Sequence, residues 1–266
     1  MAILENEPSL LEALRGEMTP KFLATRSPEG VPNVVPCVSI QPAGDQPDTL
    51  FFGNFLLRKS IRNLESDARL AVLVITPELQ GWILKGDFIE FQRTGPYYER
   101  QMNSGLLRYN AYTGVRNAGI LRVRSVESSF RISKIQVALD YLRARLAQPA
   151  STPSSGASFI EMPLPVQREF ARMVAVKVLA WIAPDGYPIL RPALSLQPTG
   201  RGAMTAWLGS NLPVPPPGAP VTSNILTFEA ISYQAKGQWA ARGKAGTLQV
   251  QEIYAGGPPY PGGRVA

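Results

Sequence analysis

Apolar residues recur at helical spacing near the start of the chain, at Leu10, Leu11, Leu14 and Met18, and the pattern then changes to a β-branched run. The same change comes again late: Phe170, Met173 and Val174, behind Pro165 at a helix start, lead into a second β-branched strand. Pro28-Glu29-Gly30 and Pro184-Asp185-Gly186 carry hairpin turn chemistry just after these strands. In between, the pattern predicts strands at Thr49 to Gly53, Ala68 to Ile75, Gly81 to Gln92 and Ile120 to Glu127. A short helix is expected to open at Thr94-Gly95-Pro96 and run through Met102. Repeated strands with short turns and few helices predict a mainly β protein built on a small antiparallel barrel.

The two beginnings are copies of one another. A shift of 156 residues lays Phe22 to Gly44 over Val178 to Gly200 without a gap, with ten identities in twenty-three positions. Among them are Leu23/Leu179, Pro28/Pro184, Gly30/Gly186, Ser39/Ser195, Gln41/Gln197 and Gly44/Gly200. Such a run reads as duplication of a domain. Ile135, Ala138, Leu142 and Leu146 recur at helical spacing after Ser133 and predict a packed helix connecting the copies. Ala147 to Ser158 is small, polar and proline-bearing, which predicts a linker. The expected domains are therefore 1–146, a linker at 147–158, and a second, degenerate copy at 159–266. Pro213 to Pro220 and Gly256 to Gly263 read as a loop and a tail.

Composition narrows the chemistry. The 266 residues contain one cysteine, Cys37, and no histidine. An internal disulfide, a zinc site, a histidine-ligated haem and a Ser-His-Asp triad are thereby excluded, and no metal site is expected. The N-terminus, Met1 to Glu7, is acidic and lacks a secretory pattern, and no apolar run reaches the ~18 residues of a membrane span. A cytoplasmic protein with no membrane partner is expected. The net charge of +7 equals the excess of one window, Arg93 to Arg145, where ten Lys or Arg face Glu99, Glu127 and Asp140. No nucleic-acid reader module is interleaved with these charges, so a solvated face or an acidic substrate is expected there rather than nucleic acid.

The run Phe51 to Leu64 places Arg58, Lys59 and Ser60 at a strand-to-helix junction. A helix start supplies backbone N–H groups and a positive dipole end, and two cations add charge-assisted donors; together these suit a phosphate. From spacing alone, a solvated charged helix start fits equally well. Cys37, with no basic neighbour in sequence, reads as a small buried hydrophobe on a barrel strand rather than a nucleophile.

In order, GVPNVVP, FFGNF, RKSIRNLESDARLAVLV, WILKGDFIEF and the TGP helix start resemble the FMN-binding split-barrel family of pyridoxamine 5'-phosphate oxidase and its relatives, over about Leu10 to Glu127. The resemblance implies two tandem split β-barrels arranged as a pseudo-dimer, with further oligomerisation possible, and FMN as cofactor. It implies that Arg58 and Lys59 grip the FMN phosphate with Ser60 nearby. Val35, Pro36, Cys37, Val38 and Ser39, on a strand to Ile40, would run along the flavin with Phe52 and Gly53, and Gln80 would touch the isoalloxazine. A deazaflavin presents a phosphate to the same cations and is the alternative cofactor. The family's histidine-bearing substrate readers are missing, which argues against vitamin B6 oxidation and against haem binding.

The second copy has no Lys or Arg from Gly202 to Ala235, so its phosphate site is expected to be lost. It keeps Lys236-Gly237 where the first has Lys85-Gly86, and Arg191 stands where the first has Val35; Arg191 is the candidate contribution of the second copy to the flavin site. No catalytic residue is assigned. The resemblance implies an FMN-dependent oxidoreductase acting on a small molecule or a reduced nicotinamide. The alternatives are a non-catalytic flavin-binding module and a deazaflavin-dependent reductase.

Overall fold

The computed structural model describes residues 2–105, 114–147, 160–209, 212–257 and 261–266. The expected linker, apart from Ala147, lies outside the described residues. The chain folds into two compact units, Met1–Gly30 with Val35–Arg131 and Ala183–Pro188, and Val31–Val34 with Ile132–Ile182 and Ile189–Ala266.

The first sheet contains β1 (Lys21–Arg26), β2 (Pro32–Pro36), β3 (Gln41–Pro42), β4 (Thr49–Gly53), β5 (Arg69–Ile75), β6 (Gln80–Gln92) and β7 (Ala118–Arg131), in the order β2-β1-β5-β6-β7-β4-β3. Its edge strands, β2 and β3, are consecutive in the chain. In a flat seven-stranded sheet they would stand ~29 Å apart at ~4.8 Å per strand. The turn Cys37 to Ile40 can span no more than ~18 Å, so the sheet must curl into a barrel. The second sheet contains β8 (Val176–Ile182), β9 (Pro188–Pro192), β10 (Gln197–Pro198), β11 (Ala203–Trp207), β12 (Pro220–Leu226), β13 (Ser232–Arg242) and β14 (Ala245–Ala255). Its order, β10-β11-β14-β13-β12-β8-β9, is the first order read backwards with each strand replaced by its equivalent. Ala193 to Leu196 closes it by the same short turn.

Duplication reaches individual hydrogen bonds. Ser39 Oγ donates to the Gly53 carbonyl and accepts from the Gly53 N–H; Ser195 Oγ makes the same pair of bonds with Trp207. Both copies carry a β-bulge at a Lys-Gly pair, Lys85-Gly86 and Lys236-Gly237. Glycine is required at the bulge because a Cβ on Gly86 would lie 2.7 Å from the Arg122 carbonyl oxygen, and one on Gly237 would overlap that of Gln249. Each barrel has its own apolar core, around Leu23, Phe52, Val72 and Trp82 in the first and around Leu179, Trp181, Trp239 and Leu248 in the second.

Among the described residues five α-helices accompany the sheets: α1 (Pro8–Arg15), α2 (Arg58–Ser66), α3 (Pro96–Met102), α4 (Lys134–Leu146) and α5 (Leu164–Phe170). α1 and α5 are shorter than their apolar spacing suggests, and Met18, Met173 and Val174 lie outside them, exposed. α4 forms as expected but turns the other way. Ile135 and Leu146 are 74% and 83% exposed, whereas Ala144 is buried and Tyr141 donates from its hydroxyl to the Ala171 carbonyl. α4 therefore belongs to the second unit. No helix among the described residues is long and apolar enough to cross a membrane.

The segment after β2 departs from expectation. Val35 to Ile40 is not one strand: β2 ends at Pro36, and the Ile40 N–H bonds back to the Cys37 carbonyl across a turn. Long-range partners hold this turn, with Lys21 Nζ donating to the Val38 carbonyl and Gln101 Nε2 to that of Ser39.

Candidate functional site

β4 ends at Gly53, and the chain turns through Asn54 into α2. Asn54 is the joint of this corner. Its N–H donates to the Asn117 carbonyl at 2.9 Å, its carbonyl accepts from the Arg116 N–H at 3.0 Å, and its Oδ1 accepts from the Leu57 N–H at 3.3 Å just ahead of the helix. These bonds fasten the segment before β7 beside the start of α2. The result is a surface depression lined by Asn54, Arg58, Ile61, Arg62 and Arg116.

Three exposed arginines thus line one hollow. None of the three takes part in an ion pair among the described residues, although Arg26, Arg69, Lys85, Arg124, Arg143, Arg172, Arg201 and Arg264 all do. The arrangement is unfavourable by itself. Arg58 puts a cation at the positive end of the helix dipole, and Arg62, one turn on, adds a like charge on the same face. α2 has no acidic residue in its first turn to offset them. An anion would relieve all three charges at once.

The residues singled out by sequence fall into two groups. Arg58 lines the depression, and Lys59 follows it, half-buried. Ser60 is wholly buried on the opposite face of α2 with Asn63 and Leu64, where Asn63 Nδ2 donates to Thr25 Oγ1 at 2.9 Å. Ser39, Gly53 and Gln101 form a second, buried cluster. Gln101 Nε2 donates to the Ser39 carbonyl at 3.0 Å, and a Cβ on Gly53 would lie 2.8 Å from Gln101 Oε1. Gln101 Oε1 and Asn117 Oδ1 are buried acceptors with no partner among the described residues.

Val35, Pro36 and Val38 are half-buried around the turn. Phe52 is wholly buried in the barrel core, edge-on to Phe91, so its ring does not line the depression. Gln80 opens β6 opposite Arg131 at the hairpin from β5. The Cys37 thiol is buried in the turn, not on a strand, and burial pushes it up to about 12, with Ser39 Oγ 3.8 Å from its Sγ. Asn54, Arg62, Arg116 and Gln101 were not singled out by sequence. Arg62 is legible as the residue one turn beyond Arg58; Arg116 has no local signal, because its place is set by backbone bonds to Asn54.

In the second copy the stretch equivalent to α2 is Leu208 to Ala219, and Arg191 turns inward to it. Its guanidinium is buried and donates to the carbonyls of Gly209, Leu212 and Pro213, the last at 2.6 Å. Burial lowers its pKa to about 10. The expected contribution of Arg191 to a flavin site is therefore corrected: those loop carbonyls occupy its donors.

The residues present fit a phosphate-bearing group at the α2 end, where Arg58, Arg62 and Arg116 line the hollow without an ion pair among the described residues. Among the described residues no group of three His, Cys, Asp or Glu could hold a metal ion.

No protein-family model matches the chain, and no curated protein matches it in sequence. Solved structures do. An FMN-binding protein from Syntrophomonas wolfei is 15% identical over 50% of this chain and 88% of its own, with a TM-score of 0.40. HupZ of Group A Streptococcus is 20% identical over 47% and 98%, with a TM-score of 0.38. A protein described as an F420 reductase is 21% identical over 45% and 94%, with a TM-score of 0.31. Each of the three covers about half of this chain.

Proposed function

We propose that this protein is a cytoplasmic flavoprotein that holds FMN by its phosphate at the start of α2 and serves as an FMN-dependent oxidoreductase. The observation that supports the reading is that Arg58, Arg62 and Arg116, in no ion pair among the described residues, line one hollow at a helix start. A bound flavin supplies hydride transfer. The chain's own residues supply the grip: Arg58, Arg62 and Arg116 hold phosphate oxygens, Lys59 adds charge, and Asn54 fixes the corner that aims them. No residue of the buried clusters is assigned as an acid or base. Burial holds the Cys37 thiol protonated, and Lys21 Nζ is engaged by the carbonyls of Gly16 and Val38.

The test is an anaerobic titration of the purified protein with FMN, followed by addition of reduced nicotinamide. Binding with bleaching of the flavin absorbance is the expected result. Tight binding that no reductant bleaches would leave a non-catalytic flavin module, and binding of a deazaflavin in preference to FMN would replace the cofactor.

A further inference from the structure

α4 has one face held and one face bare. The held face packs on β10 and β11: Ala144 is buried, the Tyr141 hydroxyl donates to the Ala171 carbonyl at 2.6 Å, the Tyr141 carbonyl accepts from Gln197 Nε2 at 2.7 Å, and Arg143 Cζ lies 5.8 Å from the centre of the Trp207 ring. These contacts fix the roll of the helix, so the other face cannot turn inward. That face carries Ile135, Leu139, Leu142 and Leu146, which are 74%, 42%, 55% and 83% exposed. They follow one another at four, three and four residues, the alternating d and a positions of a heptad. Two such columns make a narrow seam, unlike the broad stripe with which a helix lies on a core or a membrane. A seam of this kind is filled by another helix with the same repeat. The adjoining chain cannot fill it, because Gln148 to Ser158 contains no Leu, Ile, Val, Met or aromatic residue.

We infer that the seam is filled by α4 of a second copy of this chain, in an antiparallel pair about a twofold axis. Ile135 then meets Leu146 of the other copy, and Leu139 meets Leu142. A twofold interface requires a surface that complements itself, and this register pairs every seam residue with another. Charge selects the direction. Parallel helices would gather Arg143 and Arg145 of both copies at one end, whereas the antiparallel pair sets Arg143 opposite Gln136 and Arg145 opposite Ala138 and lays the helix dipoles head to tail. The four seam residues expose on the order of 400 Å² of apolar surface per chain. With the stems of Gln136, Arg143 and Arg145 added, two copies bury roughly 1,000 Å², the low end of specific interfaces, so the dimer depends on concentration. The inference goes beyond the flavin reading and does not depend on it.

The experiment measures the mass of the full chain in solution by sedimentation across a dilution series. Wild type is expected to be a dimer at ~100 µM and to dissociate toward ~1 µM. The double variant Leu139→Glu with Leu142→Glu places four carboxylates in the seam and should weaken the dimer at least ~100-fold, with the melting temperature of the dilute monomer unchanged because both positions are exposed there. Phe228→Ser, which removes an exposed apolar side chain outside α4, should leave the dimer as it is. Direction is read by oxidative cross-linking, in which Cys37 takes no part because it is buried. A mixture of Ile135→Cys chains and Leu146→Cys chains should form the mixed disulfide, and neither variant alone should cross-link, since eleven residues separate like positions by ~16 Å along the pair, against the ~7 Å limit for a disulfide. A wild type monomeric at ~100 µM, or a dimer that survives both glutamates, would overturn the inference. Cross-linking of each cysteine variant by itself would overturn the antiparallel register. A monomer that floats with phosphatidylserine vesicles would overturn the second copy in favour of a membrane surface. If the glutamate variant loses its melting temperature, the cross-linking decides: the mixed disulfide supports the pair, and its absence overturns it.

Discussion

Lys21 and Lys177 are the same residue twice: 156 positions apart, both wholly buried, each donating from its side-chain nitrogen to two backbone carbonyls. Lys21 bonds Gly16 and Val38, and Lys177 bonds Phe170 and Leu196. In each copy the lysine ties the helix before the first strand to the turn that closes the barrel. The duplicated plan therefore includes a buried cation with no carboxylate bonded to it.

That arrangement gives stability a pH dependence. Burial lowers Lys21 to about 8 and Lys177 to about 7, against 10.5 for either in an unfolded chain. Between these values the unfolded chain holds protons that the folded chain has released, so these two groups make stability rise with pH between about 7 and 10.5. Denaturant unfolding at pH 7, 8 and 9 should show this rise. Lys21→Met should flatten part of it, and a slope of opposite sign in wild type would show that the ammonium groups are stabilised in the fold.

Arg58 is expected to oppose stability in the empty protein. Arg58→Glu places an anion at the helix start and removes the like-charge pair with Arg62, which should raise the stability of ligand-free protein by about 0.5 kcal/mol. The same variant should lose the thermal shift that FMN gives wild type. A drop in ligand-free stability would show that Arg58 has a structural partner.

The thiol of Cys37 is expected to be inert. With its pKa pushed up to about 12 inside the turn, it should not react with a thiol reagent at pH 8 in native protein and should react fully once the chain is unfolded. Cys37→Ser should leave flavin binding unchanged. Rapid native labelling would place the thiol at an accessible surface.

Arg191→Leu should destabilise the protein without touching the cofactor. It leaves the carbonyls of Gly209, Leu212 and Pro213 without their donor, a loss of about 2–3 kcal/mol, with FMN affinity unchanged. Weaker FMN binding with unchanged stability would return Arg191 to the cofactor.

What could be read from the sequence depended on how local its cause is. β4 was legible to the residue, because alternation and a closing glycine fix it, and the repeat around Pro28 and Pro184 showed the duplication that strand order bears out. α4 was legible as a helix but not by its buried face, since periodicity identifies a stripe and only the neighbour that arrives decides whether it is covered. Val35 to Ile40 alternates like a strand, yet bonds from Lys21 and Gln101 bend it into a turn. At the site, Arg58 was visible in its motif. Arg116 was not, because only the Asn54 backbone brings it there.

The central claim is that the phosphate, more than the ring, is what this chain holds. It is tested most directly by the ratio of FMN to riboflavin affinity in wild-type protein, measured side by side by fluorescence titration at pH 7.5. Three charge-assisted contacts predict that FMN binds at least about a hundredfold more tightly, with close to one FMN per chain because the second copy lacks the cations. Equal affinities for the two flavins, or two FMN per chain, would contradict the account.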